Sequence, residues 1–333
     1  MKINLQISAR YYYTACLTAS QQAVYRSMLA GFETFSPEII LPAVSSDELQ
    51  AIFDYVLLDN PLIFFVDPYD NIHKRVSYKN EKECRFKPEY VYSDKEIKEY
   101  TEAVAEYLRV FDSIKIKGEL DKEIFIYRHC LNELKYNNIT DRYSHTILGP
   151  VLQKTGVCSG ISKFVKLALD YAGVQSLVSI GNGINNATHA KHAWNIVKID
   201  GKTYHLDVTY DMGKVGKVNS YHHFNLSDED MKKNHIIGEN MPPCTTKGMD
   251  YYSLNDMIVK NSEELREYIS TNLRQGKKDI VYKIVNSDGI ENMKKIIMRI
   301  AHEQYEKEIN GPIGIELNFN IDKMVFEIKY KDI

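Results

Sequence analysis

The stretch HAWNIVKIDGKTYHLDVTYD, residues 192–211, limits the fold more than any other in the chain. Asp200-Gly201 stands between two alternating runs, and an Asp-Gly pair supplies the positive φ angles that a two-residue hairpin turn requires. With that turn Ile199 opposes Lys202, and His192 comes to face Thr209 with Asp207 as its diagonal neighbour. Diagonal neighbours on one face lie about 7–8 Å apart, within reach of long side chains. One face of the ribbon carries Ala193, Val197, Ile199, Tyr204, Leu206 and Val208, a core surface. The other carries His192, Trp194, His205 and Asp207, a polar face. A one-residue change in the turn would reverse the two faces.

Composition narrows the partners. Lysine plus arginine (42) nearly balances aspartate plus glutamate (45) in 333 residues, with a pI of about 6.4 and no long basic block. Nothing favours a nucleic-acid backbone. No run of about 18 apolar residues is present, so no membrane partner is expected. The N-terminus MKINLQISARYYYTACLTAS lacks the apolar core of a secretory signal, which favours the cytoplasm, although an exported chain trimmed of its signal would read the same. The five cysteines (Cys16, Cys84, Cys130, Cys158, Cys244) are odd in number and show no CxxC spacing. Free thiols in a reducing compartment follow, rather than a disulfide framework or a four-thiolate zinc site.

Along the chain, helical spacing runs through 18–35 and 46–58, the second opened by Ser45, Ser46 and Glu48. NPLIFFVD reads as a short buried strand, followed by strand-like sequence to about residue 92. Ser93 is the expected N-cap of a helix carrying Ile97, Val104, Leu108, Phe111 and Ile114; Gly118 and Asp121 break it, and a second helix carries Ile124, Tyr127 and Cys130. A loop is expected from Asn137 to Gly156. Strands SLVSIG, HAWNIVKI and KTYHLDVTYD follow, with the fragment near SLVSIGNGINNATHA as a flexible rim beside the cleft. Beyond 250 the pattern gives a helix near 262–275, the strand DIVYKIV, a helix over about 289–308 and the hairpin IGIELNFNIDKMVFEIKY. The expected division is a helical or mixed N-terminal region over 1–94, a central domain over 95–250, and a small α/β unit over 251–333.

The stretch TGVCSGISKFVKLALDYAG places Cys158 between two glycines at the start of an apolar helix that Gly173 ends. At a helix N-terminus unpaired N–H groups and the macrodipole favour an anion, so a thiol there ionises readily. Gly156 and Gly160 leave room for a sharp turn and for a substrate. The competing reading of a lone free cysteine is a small buried hydrophobe. Likewise His192 alone reads as a hydrogen-bonded strand histidine and Asp207 alone as a turn carboxylate. Helix start and shared hairpin face together favour Cys158 as nucleophile, His192 as base and Asp207 as the group that orients the imidazole.

GVCSGISKFVKLALDYAGV, HAWNIVKIDGKTYHLDVTYD and YHHFNLSDEDMKKNH resemble the three signature blocks of bacterial transglutaminase-like proteins. The resemblance covers about residues 95–236; LLDNPLIFFVD is similar to the region preceding that domain, and the C-terminal unit resembles no family. It implies an α+β, papain-like core, with a nucleophile helix packed on an antiparallel sheet. It also implies a Cys-His-Asp triad at Cys158, His192 and Asp207. A tryptophan is common in that family where Tyr210 stands, and a bulkier polar residue where Ser159 stands. Both departures bear on substrate preference rather than on catalysis.

The expected activity is attack on an amide or peptide carbonyl through an acyl-thioester, resolved by water (protease or deamidase) or by an amine (transglutaminase). Hydrolysis is favoured slightly, and the partner is a protein or peptide substrate. A non-catalytic scaffold of the same fold is the alternative, against which the intact Cys158, His192 and Asp207 weigh. Acyl transfer from a small thioester donor is a third reading, but no cofactor pocket is legible and no cofactor is expected. Trp194, Gly160 and Gln153 are expected at the substrate cleft, with Gln153, Tyr143 or His145 as a side-chain oxyanion donor beside the Cys158 N–H. His189, His192, His205, His222 and His223 lack the H-E-x-x-H pattern, so no metal is expected. NLSDEDMKKNH reads as a helix start capped by Ser227 and Asp230, and as a structural cover for the hairpin.

Overall fold

The computed structural model describes residues 12–68, 72–80, 82–115, 117–138, 141–185, 188–212, 221–285, 290–320 and 324–332. Helix and sheet are mixed throughout, and the chain divides into two compact units, one of residues 1–213 with 225–246, the other of 214–224 with 247–333.

The first three helices begin where side chains satisfy their orphan N–H groups. Thr18, Ser45 and Ser93 cap α1 (Ala19–Glu33), α2 (Ser46–Asp59) and α3 (Asp94–Leu108), each with a reciprocal bond from the residue at the third helical position. α1 and α2 pack together beside a three-stranded sheet of β1 (Ile39–Pro42), β2 (Val76–Asn80) and β3 (Glu83–Phe86). The NPLIFFVD segment is not a strand. It passes through turns with a single bridge, Val66 to Tyr90, while Ile63, Phe64, Phe65 and Val66 are buried. A short apolar run signals burial without deciding the backbone, and Pro61 has no N–H to give a ladder.

After α3 the chain tightens into a 3₁₀ turn and enters α4 (Glu119–Glu133). Two residues, β4 (Lys135–Tyr136), pair in parallel with β5 (Thr155–Gly156), immediately before α5 (Cys158–Ala172). The intervening segment was expected to be loop throughout, but Gly149–Gln153 form a single π turn. α5 is buried on nearly every face and ends at Gly173, whose φ of 82° supplies the left-handed C-cap.

The sheet under α5 has the order β8-β7-β6-β9 and is antiparallel throughout: β6 (Gln175–Asn185), β7 (Thr188–Ile199), β8 (Lys202–Leu206) and β9 (His235–Ile237). Ile199 opposes Lys202 as the two-residue turn requires, with φ of 48° at Asp200 and 79° at Gly201. β8, however, ends at Leu206. Asp207 stops the strand and caps the short helix α6 (Val208–Met212) by accepting a hydrogen bond from Tyr210 N at 3.1 Å. His192 therefore has no ladder partner in Thr209. The expected rim also differs: β6 runs unbroken through Gly183 to Asn185.

Helix and sheet are tied by polar bonds as well as by packing. Ser162 Oγ donates to Ala193 O (2.9 Å), and Asn195 Nδ2 donates to Ser162 O (2.9 Å). The opposite face, expected to be a polar surface, is buried. Residues 225–244, including α7 (Asp228–Met231) capped by Ser227, return over it and pack Leu226, Met231 and Ile237 against Trp194.

The second unit contains α8 (Tyr251–Leu254), β10 (Ile258–Val259), α9 (Ser262–Arg274), β11 (Asp279–Ile284), α10 (Ile290–Glu308), β12 (Ile313–Asn320) and β13 (Val325–Asp332). Its sheet runs β10-β11-β13-β12. Leu265, Ile269 and Leu273 of α9 and Ile297 and Ile300 of α10 form one core with Tyr282, Phe326 and Ile328 of the sheet. No helix among the described residues is long and apolar enough to cross a membrane.

Candidate active site

Three elements converge on one thiol. Cys158 is the first residue of α5, and its N-cap Val157 contributes no side-chain bond, so no N-cap side chain shields that helix end. The thiol is half-buried against an apolar wall of Tyr13, Leu58, Val178 and Ala193. His192, midway along β7, hydrogen-bonds it. The other side of the imidazole is fixed, because Nε2 lies 2.7 Å from Asp207 Oδ2. That leaves Nδ1 for the sulfur.

Asp207 is completely buried and uses both oxygens. Oδ1 accepts from Thr209 Oγ1 (2.8 Å) and Tyr210 N (3.1 Å). Oδ2 accepts from His192 and also from His235 Nε2 (3.1 Å), whose Nδ1 lies 2.8 Å from Asn234 Oδ1. One carboxylate thus caps a helix and holds two imidazoles. Aromatic rings keep the geometry tight: the Trp194 ring stacks on His192 at 5.9 Å and 22°, and Tyr210 lies 4.9 Å from His192 and 4.4 Å from His235.

The electrostatics follow from these contacts. Burial alone would push the Asp207 carboxyl up, but His192 and then His235 hold it well below the usual carboxylate range. Burial alone would lower His192; Asp207, and after it the Cys158 thiol, raise it to about 10. Burial likewise opposes ionisation of Cys158, and the His192 bond and charge, with the Ala193 N–H donating to sulfur, bring the thiol below its ordinary value. A raised imidazole beside a lowered thiol favours the thiolate–imidazolium pair over the neutral thiol and imidazole.

The three residues expected at the cleft fare differently. Trp194 is fully buried and donates from Nε1 to His205 Nδ1 at 3.0 Å, so it backs His192 instead of facing a substrate. Gly160 makes no substrate space; a Cβ there would stand 2.2 Å from Ser144 O, and the glycine lets α5 lie against that backbone. Gln153 is exposed and donates to Asp141 Oδ2 at 2.7 Å. Of the other oxyanion candidates, the Tyr143 hydroxyl bonds Tyr100 (3.0 Å) and Arg142 (2.7 Å), and His145 Nδ1 bonds Ser159 Oγ (3.0 Å).

Two residues are added by the structure. His235 closes the block YHHFNLSDEDMKKNH, and its place at the end of that block was the signal available. Tyr136 lies upstream in β4, with its hydroxyl within hydrogen-bonding reach of both the amide and the thiol of Cys158. As one of 24 tyrosines it had no distinguishing signal.

A second group of the same residue types lies on the same hairpin. His205 Nε2 is 2.8 Å from Asp228 Oδ1, and Cys244 lies beside them. In this group, as in His192–Asp207–His235, donor atoms fall within 4.8 Å of one another. The separations of 2.7 Å and 2.8 Å in the two His–Asp pairs are hydrogen-bond distances. They are shorter than the roughly 3.3 Å between neighbouring ligands of a tetrahedral zinc. The other histidines do not join in: His222 Nδ1 bonds Tyr252 within the second unit, His223 is buried in that unit, and the side chain of His189 lies outside the described residues.

No family model matches the sequence, and no curated protein matches it. Solved structures similar to the chain include a "Putative Cysteine Protease from Cytophaga hutchinsonii" (13% identity, TM-score 0.29, 40% of this chain and 60% of that one). A "putative protease from Parabacteroides distasonis" is 18% identical with a TM-score of 0.26, over 39% of this chain and 34% of that one. A "TGase" is 14% identical with a TM-score of 0.32, over 71% and 62%. The chain spans less than two thirds of each of these.

Proposed function

We propose that the first unit is a cysteine enzyme with a transglutaminase-like, papain-like core that acts on amide or peptide carbonyls through an acyl-thioester. One observation carries the reading: a single imidazole joins the thiol at the start of α5 to a buried carboxylate, His192 being bonded to Cys158 and, at 2.7 Å, to Asp207.

In this reading Cys158 attacks as thiolate, so no proton has to leave sulfur during addition. The sulfur–carbon bond forms as the carbonyl π pair moves onto oxygen, where the Cys158 N–H donates to it. On collapse the carbonyl re-forms and the amine leaves, taking the proton from His192. The neutral imidazole then accepts a proton from the second nucleophile, water or an amine, which releases the acyl group. Asp207 keeps the ring oriented and favours its charged form, and His235 holds Asp207 from the other side. Water is the favoured acceptor and a protein or peptide the substrate class. The Tyr210 ring beside His192 is where preference would be set.

The test is iodoacetamide labelling at pH 6 with peptide mapping, followed by incubation with casein and a fluorescent primary amine. Cys158 should be modified before Cys16, Cys84, Cys130 and Cys244. Cleavage, or ammonia release without amine incorporation, indicates hydrolysis, and amine incorporation indicates transamidation. Labelling of any other cysteine ahead of Cys158 would remove the basis of the reading.

A further inference from the structure

We propose that Tyr136 is a catalytic residue whose hydroxyl, together with the Cys158 amide N–H, forms the oxyanion site. The assignment rests on the acyl-thioester reading and names the side-chain donor that reading requires.

Position is the first argument. Tyr136 sits opposite Gly156 in the β4–β5 ladder, two residues ahead of the nucleophile. The backbone on both sides is pinned, by Lys135 N to Lys154 O at 2.9 Å and Asn137 N to Gly156 O at 3.0 Å. The Cα of Tyr136 is therefore fixed relative to the start of α5, as an oxyanion donor must be.

The bonds of the hydroxyl are the second argument. It lies within reach of the Cys158 amide, toward which it is an acceptor, and of the thiol. In the resting site it therefore occupies the acceptor position that a tetrahedral oxygen bonded to that sulfur would take. A carbonyl oxygen arriving there replaces it on the amide, and the O–H turns to donate to that oxygen. The ring is 40% exposed, which leaves it free to make that adjustment. Burial first, and the nearby Cys158 second, push the phenol up, so it remains a protonated donor at neutral pH.

The third argument is that other donors are committed. Gln153 is bonded to Asp141, the Tyr143 hydroxyl to Tyr100 and Arg142, His145 to Ser159, and Trp194 Nε1 to His205.

Two probes separate the roles. With 4-nitrophenyl acetate the thiolate adds to the acetyl carbon and negative charge develops on oxygen. Collapse then expels 4-nitrophenolate and leaves an acetyl thioester. With iodoacetamide a sulfur–carbon bond forms as iodide leaves, and no oxyanion arises. Tyr136→Phe, with unchanged melting behaviour, should slow the 4-nitrophenolate burst by about ten- to a hundred-fold. Iodoacetamide alkylation of Cys158 should stay within about threefold of the wild type. Equal losses with both probes would mean that Tyr136 acts on the thiolate itself, and no loss with either that it merely covers the sulfur; each overturns the assignment. A wild-type burst that Cys158→Ala does not remove would overturn the acyl-thioester reading itself, a result distinct from both.

Discussion

Cys158, His192 and Asp207 on one side of Trp194, and Cys244, His205 and Asp228 on the other, are the same three residue types, drawn from the start of α5, one hairpin and its return segment, and their acid–base properties are opposite. His192 is raised to about 10, whereas burial, only partly offset by Asp228, holds His205 below its ordinary value. Cys158 is lowered; burial pushes Cys244 up to about 12. The difference lies in who donates. His192 offers both ring nitrogens to anionic or ionisable acceptors, one to a completely buried carboxylate and one to a thiol. His205 must accept at Nδ1 from the Trp194 indole N–H, which fixes a neutral ring. Its carboxylate, Asp228, is partly solvated. Cys244 lies against Leu177 and Ile196 and donates to Pro242 O, at 3.7 Å. Residue type is shared, and the partners decide which group carries charge.

The largest expected effect tests that contrast directly. At pH 6, alkylation of Cys158 should outrun that of Cys244 by more than about a thousand-fold, since a thiol near 12 holds almost no thiolate there. Comparable rates would show that the two groups are not different in kind.

Asp207→Asn comes next. Activity should fall about ten- to a thousand-fold, because the amide favours the wrong imidazole tautomer while a preformed ion pair softens the loss. Stability should also fall, by about 1–3 kcal/mol, since an NH₂ group would face donors that Asp207 now accepts. The pH dependence has two limbs. Asp207 is depressed on folding, so its contribution is present above about pH 4 and is lost as pH falls through its folded value. His192 is raised to about 10, so its contribution is full below about 6.5 and is lost as pH climbs toward 10. Between pH 6.5 and 10 the wild type should therefore lose melting temperature more steeply than Asp207→Asn; parallel slopes would show that the His192–Asp207 pair is not the source.

His205→Ala should reverse the pattern. It strands the buried Trp194 N–H and removes the Asp228 bond, for a stability loss of about 1–3 kcal/mol. Cys158 alkylation should stay within about threefold. A collapse of reactivity without loss of stability would move the base from His192 to His205.

What the sequence made legible follows the range of the interaction. Asp200-Gly201 set the pairing of Ile199 with Lys202, and Ser45, Ser93 and Gly173 marked helix ends, because each signal is spent within a few residues. Cys158 at the start of its helix was legible for the same reason. Asp207 looked like one more strand position and is in fact a helix cap, a choice made by Tyr210 N three residues on. NLSDEDMKKNH was legible as a cover for the hairpin, but the complete burial of the His192–Trp194–His205 face under residues 225–244 was not, because no local period encodes it. Tyr136 reaches the thiol through a two-residue parallel ladder too short to leave a pattern. NPLIFFVD was read correctly as buried and wrongly as strand.

The smallest effect is the most discriminating about the second group. Cys244→Ser exchanges a soft, buried sulfur for a smaller and more polar oxygen at a site with 0% exposure. The new hydroxyl retains a carbonyl acceptor in Pro242 O, so the change leaves no stranded donor. What is lost is packing against Leu177 and Ile196, about 1 kcal/mol or a few degrees of melting temperature. Neither Leu177 nor Ile196 packs in the cluster that holds Cys158, so the alkylation rate of Cys158 should stay within about twofold. The same holds for the pH at which it half-ionises, because what sets it, burial and then His192, the Ala193 N–H and Asp207, lies around Cys158 and not around Cys244. A Cys158 titration displaced by half a pH unit or more in Cys244→Ser would mean that the two groups share protons through Trp194. They would then be one ionisable network rather than a reactive site and a structural one.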